Sequence, residues 1–300
     1  MRTDIARKGS QELSPGGDGG RIAIIAGYGR MPVEVAEAAR ADGRSPVIVA
    51  LKGESDHDWS QFDSEIFCIG DLRGITGFMR RQGARRMILT GGVRHRPRLG
   101  DLRPTWRTIG QAGNVIRALS GAGDDKMLRI AIGLFEAEGF TVVGAHEVTP
   151  GLIAAPGAVG SVRPSAADLD DIAIARDAAL ALGNLDIGQG AVAVGGRVVA
   201  LEGPEGTDGM LLRVRELRAA GRISRRHAGV LVKMCKPTQD MRADLPSIGP
   251  GTVESVTEAG LAGVAIEGGR ALILDREATI AAADAAGVFI VGIDAREDLS

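Results

Sequence analysis

Between Lys233 and Gly249 the chain reads K-M-C-K-P-T-Q-D-M-R-A-D-L-P-S-I-G, gathering cations, an amide and carboxylates in a stretch where two prolines oppose helix. Pro237 and Pro246 each fix their own φ and turn the preceding residue away from the helical region. In an extended chain the two-residue period puts Asp240, Arg242 and Asp244 on one face, with Gln239 and Met241 on the other. Lys236 stands at the head of the run. Such a set suits a phosphate-bearing substrate: Asp holds a divalent cation or orients water, and Lys or Arg neutralises phosphate charge. The same residues also fit a solvated loop in which Asp240 and Arg242 merely pair, a common and weak arrangement.

Short α/β units must position this segment. Residues 22–26 read as a buried strand, Gly27 to Pro32 (G-Y-G-R-M-P) as a glycine turn, and 33–40 as an amphipathic helix, the opening of a Rossmann-like unit. Such a turn brings backbone N–H groups and a helix N-terminus to a phosphate, which makes Gly27, Gly29 and Arg30 candidates for binding. The dinucleotide fingerprint asks for a third glycine and an acidic residue ending the second strand, where this chain has Pro32 and Lys52. A tight turn that needs glycine for backbone reasons alone is an equal reading. Strands follow at 66–69 and 86–90, with a helix at 72–82 between them. Gly91 then marks a strand end where open sheets bind ligands, and Arg94, His95 and Arg96 beyond it suit either an anion or a solvated loop.

Asp124 and Asp125 precede a helix over 126–139; one of them caps it, and the second is surplus and open to a metal role. His146 and Glu147, read in a strand continuing from 141, point to opposite faces and cannot converge on one metal. The stretch 151–164 is rich in proline and glycine and reads as a linker. Beyond it Ser165 and Asp168 open a helix in capping-box style, a hairpin turns at Gly195-Gly196, and Thr207 is placed to cap a further helix whose N-terminus suits an anion. A strand at 229–234 empties into the charged segment. A helix near 252–259, a hairpin about Gly268-Gly269, a helix capped by Asp275 and a strand at 288–294 complete the pattern.

The chain of 300 residues is 44% hydrophobic and 25% charged, an ordinary globular balance whose length favours two domains. Its formal net charge of −2 gives no global reason to bind nucleic acid. Two cysteines, Cys68 and Cys235, are too few for a disulfide scaffold and fit a reducing compartment. No apolar run is long enough to span a membrane, so a cytoplasmic location is expected. The division expected is a disordered leader at 1–20, a Rossmann-like parallel-sheet domain at 21–150, a linker at 151–164 and a hairpin-containing α/β catalytic domain at 165–300.

Taken together the motifs resemble the LpxI-type UDP-2,3-diacylglucosamine pyrophosphatases of lipid A biosynthesis. The resemblance covers about residues 21–295, and K-P-T-Q-D-M-R-A-D-L-P-S-I-G at 236–249 is its most specific part. G-D-D at 123–125, A-H-E-V at 145–148, D-I-G-Q-G-A-V at 186–192 and E-G-T-D at 205–208 match in the same order. Tyr28 and Met31 depart from the family's usual glycine and leucine. The resemblance implies hydrolysis of the UDP-linked diacylated glucosamine to UMP and 2,3-diacylglucosamine 1-phosphate, between two domains and with a divalent cation, usually magnesium. It implies a catalytic role for Asp244 above all, and the reading of the charged segment sets Asp240, Arg242 and Lys236 beside it as catalytic candidates. Substrate contacts fall to Gly27, Gly29, Arg30, Gly91, Asp124, His146, Gln189, Gly190, Glu205 and Thr207, and metal ligation to Asp244, Asp125 and Asp208. Peripheral contact with the inner membrane stays open, as does oligomeric state. Two other readings stand beside it: a nicotinamide-dependent oxidoreductase, against which Pro32 and Lys52 count, and a non-enzymatic phospho-ligand binding protein, against which the acidic surplus of Asp125, Asp240 and Asp244 counts.

Overall fold

Strand β1 (Ile22–Ala26) is apolar throughout and buried throughout, as a strand covered by helices on both faces must be. The computed structural model describes residues 20–95, 103–108, 110, 124–224, 226–236, 239–242 and 245–295, with Asp124 and Asp125 by backbone alone. β1 pairs in parallel with β2 (Pro46–Leu51) and β4 (Arg86–Thr90), and β3 (Asp63–Phe67) and β5 (Thr141–Val142) complete a five-stranded parallel sheet in the order β3-β2-β1-β4-β5. The chain reverses its direction across the sheet between β1 and β4, so the loops leaving those two strands flank the crevice where open α/β sheets bind ligands. Alternate residues feed two cores. Ala23, Ile25, Val47 and Val49 meet Phe78, Met79 and Phe135 from helices α2 (Leu72–Arg81) and α3 (Asp124–Ala137); Ile24, Ile48 and Ile88 meet Val35, Ala36 and Ala39 of α1 (Met31–Ala41) on the other face.

The second sheet has six strands in the order β6-β13-β11-β9-β7-β8. Its middle is parallel: β9 (Val230–Lys233), β11 (Gly263–Glu267) and β13 (Phe289–Ile293) run together, while β6 (Gly157–Val159), β7 (Gly190–Ala193) and β8 (Val198–Leu201) are antiparallel additions at the edges. Helix α5 (Ala166–Asn184) covers one face through Ile172, Ala175 and Ala179. Helices α6 (Gly206–Ala219), α7 (Pro250–Glu258) and α8 (Arg276–Ala286) cover the other. Both halves are therefore α/β, the first a parallel Rossmann-like sheet and the second hairpin-containing, as expected. The β7–β8 hairpin is fastened by the buried Asp171, whose carboxylate accepts the N–H groups of Gly195 at 2.9 Å and Gly196 at 2.6 Å. Ser165 and Asp168 form the expected capping box of α5.

Several local expectations need correction. The third strand lies at Asp63–Phe67, not 66–69; it is an exposed edge, so it lacks the apolar run by which a buried strand is found. Ala145–Val148 is a single helical turn, α4, not a strand. No hairpin forms about Gly268-Gly269. β11 is central and parallel to both neighbours, while β12 (Leu272–Ile273) leaves to pair with β10 (Ser247–Ile248) in a separate two-stranded sheet. Within 151–164 the chain is tied into the second sheet through β6 and its antiparallel pairing with β13, so this stretch is not a free linker. The expected leader lies outside the described residues except for Gly20.

Candidate functional site

The glycines of the first turn are explained first by backbone crossing. A Cβ on Gly27 would sit 2.2 Å from the Gly92 carbonyl oxygen, and one on Gly91 would sit 2.7 Å from Pro32 and 2.8 Å from the Tyr28 oxygen. The loops after β1 and β4 thus lie against each other, joined by a Tyr28–Gly92 bridge. Gly29 differs: its φ of +93° requires glycine, and the space beside it is open. Its N–H donates to Asp56 Oδ1 at 3.1 Å, and its carbonyl meets His57 Nε2 at 2.9 Å. A carboxylate thus takes the hydrogen bond that a phosphate would want. Two of the cations beyond Gly91 are tied down as well, Arg96 lying outside the described residues: buried Glu54 accepts the N–H groups of Arg94 and His95 and contacts His95 Nδ1 at 2.9 Å, while the Arg94 guanidinium stacks over Tyr28.

In the second half, Glu202 at the end of β8 is only 7% exposed and organises the D-I-G-Q-G loop. One carboxylate oxygen accepts the Gln189 N–H at 3.1 Å, and the other accepts the Thr207 hydroxyl at 2.7 Å. Gly188 and Gly190 make room for it: a Cβ on the former would lie 2.3 Å from the Glu202 carbonyl oxygen, and on the latter 2.8 Å from its carboxylate. Thr207 is therefore inside α6 and not its cap; the cap position is Glu205, which makes no capping bond and faces Arg213 at 3.3 Å. Asp208 is exposed in the first turn of α6. The Gln189 side-chain oxygen is buried without a partner among the described residues. Glu202 belongs to no recognised motif, and its only sequence signal is its place at a strand end before E-G-T-D.

The charged segment gathers these pieces. Lys236 Nζ donates to Asp186 at 2.7 Å, and the Met234 N–H, just past β9, donates to the Gln189 carbonyl at 2.9 Å. Arg242 grips Asp240 in two parallel bonds of 3.0 and 2.7 Å and extends its remaining nitrogen to Glu136 of α3 at 2.7 Å. The hydrogen bonds from Arg242 outweigh partial burial and hold the Asp240 carboxyl below its ordinary value. The two carboxylates push the Arg242 pKa up. This pair braces the segment against the first half, which is the plainer of the two roles open to it. Asp244 lies outside the described residues, as do the side chains of Asp124 and Asp125.

Other ties run between the halves. Arg30 meets Asp275 at 3.0 Å, the Asp275 N–H donates to Glu34 at 2.8 Å, and Met31 packs with Met241, Leu274 and Leu245. Burial pushes the Glu34 carboxyl up, and its second oxygen is buried with no hydrogen bond among the described residues, only an ion pair to Arg30 at 3.8 Å. Asp275 is the cap residue of α8 by position, yet its side chain makes no capping bond. Asp186 and Asp275 are the non-glycine residues of positive φ among the described ones, at 54° and 45°, and each holds a cation of the predicted site. Strained backbone of this kind collects at functional sites, where the surroundings over-determine it. His146 sits on α4 with its ring against Gly144, whose Cβ would lie 2.2 Å from the ring and 3.2 Å from the Met241 oxygen. The His146 Nδ1 is buried without a partner among the described residues. The geometry thus draws Arg30, His146, Gln189, Lys236 and the Asp240–Arg242 pair into one connected region between the halves. Among the described residues no three His, Cys, Asp or Glu side chains converge as a metal-ligand set.

A parallel-sheet unit and a mixed-sheet unit, tied together by the charged segment, define a two-domain α/β protein whose candidate site residues gather where the two meet. The model described as the LpxI N-terminal domain matches residues 21–152, and that described as the LpxI C-terminal domain matches residues 155–291. The chain belongs to the LpxI family. It is 41% identical over 279 residues to a Caulobacter vibrioides protein named UDP-2,3-diacylglucosamine pyrophosphatase LpxI, covering 92% of this chain and 99% of that one.

Proposed function

We propose that this chain hydrolyses the pyrophosphate of UDP-2,3-diacylglucosamine to UMP and 2,3-diacylglucosamine 1-phosphate in lipid A biosynthesis. The observation that carries the reading is the likeness to the Caulobacter vibrioides protein of that name, which runs through both domains at near full length. Water adds to the sugar-side phosphorus, the bond from that phosphorus to the bridging oxygen breaks, and UMP departs with the bridging oxygen. Asp244 orients the attacking water or takes its proton. The buried, unpartnered Nδ1 of His146 and side-chain oxygen of Gln189 await polar groups of the substrate. Gly29 offers its N–H to a phosphate oxygen that displaces the exposed Asp56 carboxylate. The Asp240–Arg242 brace and the Lys236–Asp186 pair hold the segment in place.

A divalent cation, magnesium, would neutralise pyrophosphate oxygens through one or two carboxylates. Asp125 and Asp244 are the acids proposed to hold it. Asp208 is exposed on the first turn of α6, and the described residues supply no ligand set by themselves. No helix among the described residues is long and apolar enough to cross a membrane. We place the reaction in the cytoplasm, with the acylated substrate drawn from the inner membrane surface.

The test is to incubate the purified chain with UDP-2,3-diacylglucosamine and magnesium and to measure UMP. Asp244→Asn should slow single-turnover hydrolysis by ~10²–10⁴-fold, the worth of a positioned acid–base group, while substrate binding survives. No UMP from the unaltered chain would refute the activity. Near-normal turnover by the variant would instead move the chemistry away from Asp244.

A further inference from the structure

The end of the first sheet opposite the proposed site carries an unexplained concentration of positive charge. A cavity of about 150 Å³ opens there, lined by Arg21, Arg44, Arg85, Arg86 and the glycines Gly20 and Gly83. The topology itself brings these arginines together. β1 and β4 are parallel with Ile22 opposite Arg86, and β1 and β2 are parallel with Ile22 opposite Pro46. Arg21, Arg44 and Arg85 therefore each fall one or two residues before the start of one of three adjacent strands, and Arg86 begins its strand. The proposed reaction lies at the other ends of the same strands, roughly 17 Å away at about 3.3 Å per residue.

Two of the four guanidinium groups are neutralised. Arg21 is bound to Asp63 and to the Gln82 side chain, and Arg44 meets Asp42 at 3.2 Å. Arg85 and Arg86 have no side-chain partner among the described residues. Two unmatched cations beside two matched ones stand out in a chain whose formal net charge is −2. Like charges crowded on a small concavity repel unless an anion joins them, and the guanidinium fork matches the oxygens of a phosphate. The volume is roughly five times the ~30 Å³ share of one liquid water, room for a single oxyanion of phosphate size.

We propose that this cavity is a second anion site, separate from the hydrolytic one, that binds a phosphate group through Arg85 and Arg86 with Arg21 and Arg44 as flanking charge. The group belongs either to a free phosphate compound or to the headgroup of an anionic phospholipid. Both present the same oxygens, so the probes must separate them. Inorganic phosphate is titrated into the full chain by calorimetry, and flotation is measured with vesicles of phosphatidylglycerol in phosphatidylcholine and with vesicles of phosphatidylcholine alone. The same measurements are made on the double variant Arg85→Gln, Arg86→Gln.

Binding of phosphate without vesicle capture assigns the site to a free phosphate compound. Capture by phosphatidylglycerol vesicles alone assigns it to a headgroup. In either case the double variant should bind roughly tenfold more weakly or worse, since each charge-assisted bond lost is worth about 1.5 kcal/mol or more. UMP release in detergent-dispersed assays should be unchanged, because neither arginine belongs to the proposed hydrolytic site. Failure of the unaltered chain to bind either probe, or equal binding by the double variant, would overturn the proposal. Arg85 is exposed just before β4 and Arg86 is half-buried at its start, so the double variant is expected to keep its thermal midpoint, and that midpoint is measured beside the binding to show that the fold is kept.

Discussion

The two glycine turns of this protein look alike as sequence and differ as structure. Around Gly29 the donor is met by Asp56, whose side chain is 43% exposed; around Gly188 to Gly190 it is met by Glu202, whose residue is 7% exposed and fixed by two hydrogen bonds. The first carboxylate is a surface group that water or phosphate can replace at little cost. The second is part of the scaffold, because removing it would leave the half-buried Gln189 amide and Thr207 hydroxyl without their acceptor. A glycine turn is thus an anion site only where its own chain has left the place accessible.

Several changes would break or sharpen this contrast. The largest effect is expected from Gly188→Ala, whose new methyl meets a backbone oxygen at 2.3 Å, and from Gly27→Ala, which meets one at 2.2 Å. Backbone cannot swing aside as a side chain does, so each should cost about 3 kcal/mol, the upper end of overpacking penalties, in urea unfolding. A cost near zero at Gly27 would mean that the two loops of the first domain are not interlocked.

Next comes Glu202→Ala, expected to cost about 2 kcal/mol by stranding the Gln189 N–H and the Thr207 hydroxyl. Its counterpart, Asp56→Ala, should change stability by less than about 0.5 kcal/mol, as surface substitutions do. If the two losses proved equal, the distinction between scaffold and replaceable carboxylate would fail.

Asp240→Asn should cost about 1 kcal/mol at neutral pH, the worth of partly exposed charge-assisted bonds. The folded Asp240 pKa lies below the ordinary 3.8, so the ionised form favours the fold. Its contribution is present above that value and fades as pH falls through the lower folded one. Unfolding midpoints of the two proteins should therefore converge in acid; a constant gap would place the effect elsewhere. The smallest change is kinetic. Removing the Asp56 charge should tighten substrate binding roughly threefold, since a weak exposed repulsion is relieved. A raised KM would show that Asp56 itself contacts substrate.

Much of the architecture was written in local pattern. The five buried residues of β1, the glycine turn after it, the capping box at Ser165 and the hairpin at Gly195-Gly196 follow from nearest-neighbour chemistry, which a sequence states directly. The ordered motifs likewise carry the family. Other features depended on residues remote in sequence. Glu202 closing the Gln189 loop, Asp56 at Gly29, Glu136 completing the Arg242 brace and Asp275 bridging to Arg30 and Glu34 join positions as much as 245 apart. The edge strand at Asp63–Phe67 and the parting of β11 from β12 were equally hidden. A pattern encodes which face of an element is apolar, and so the sequence alone determined the buried elements and the family. Which loop a given carboxylate reaches is decided only when two sheets have packed and brought their strand ends together, because that choice depends on distance in space and on burial.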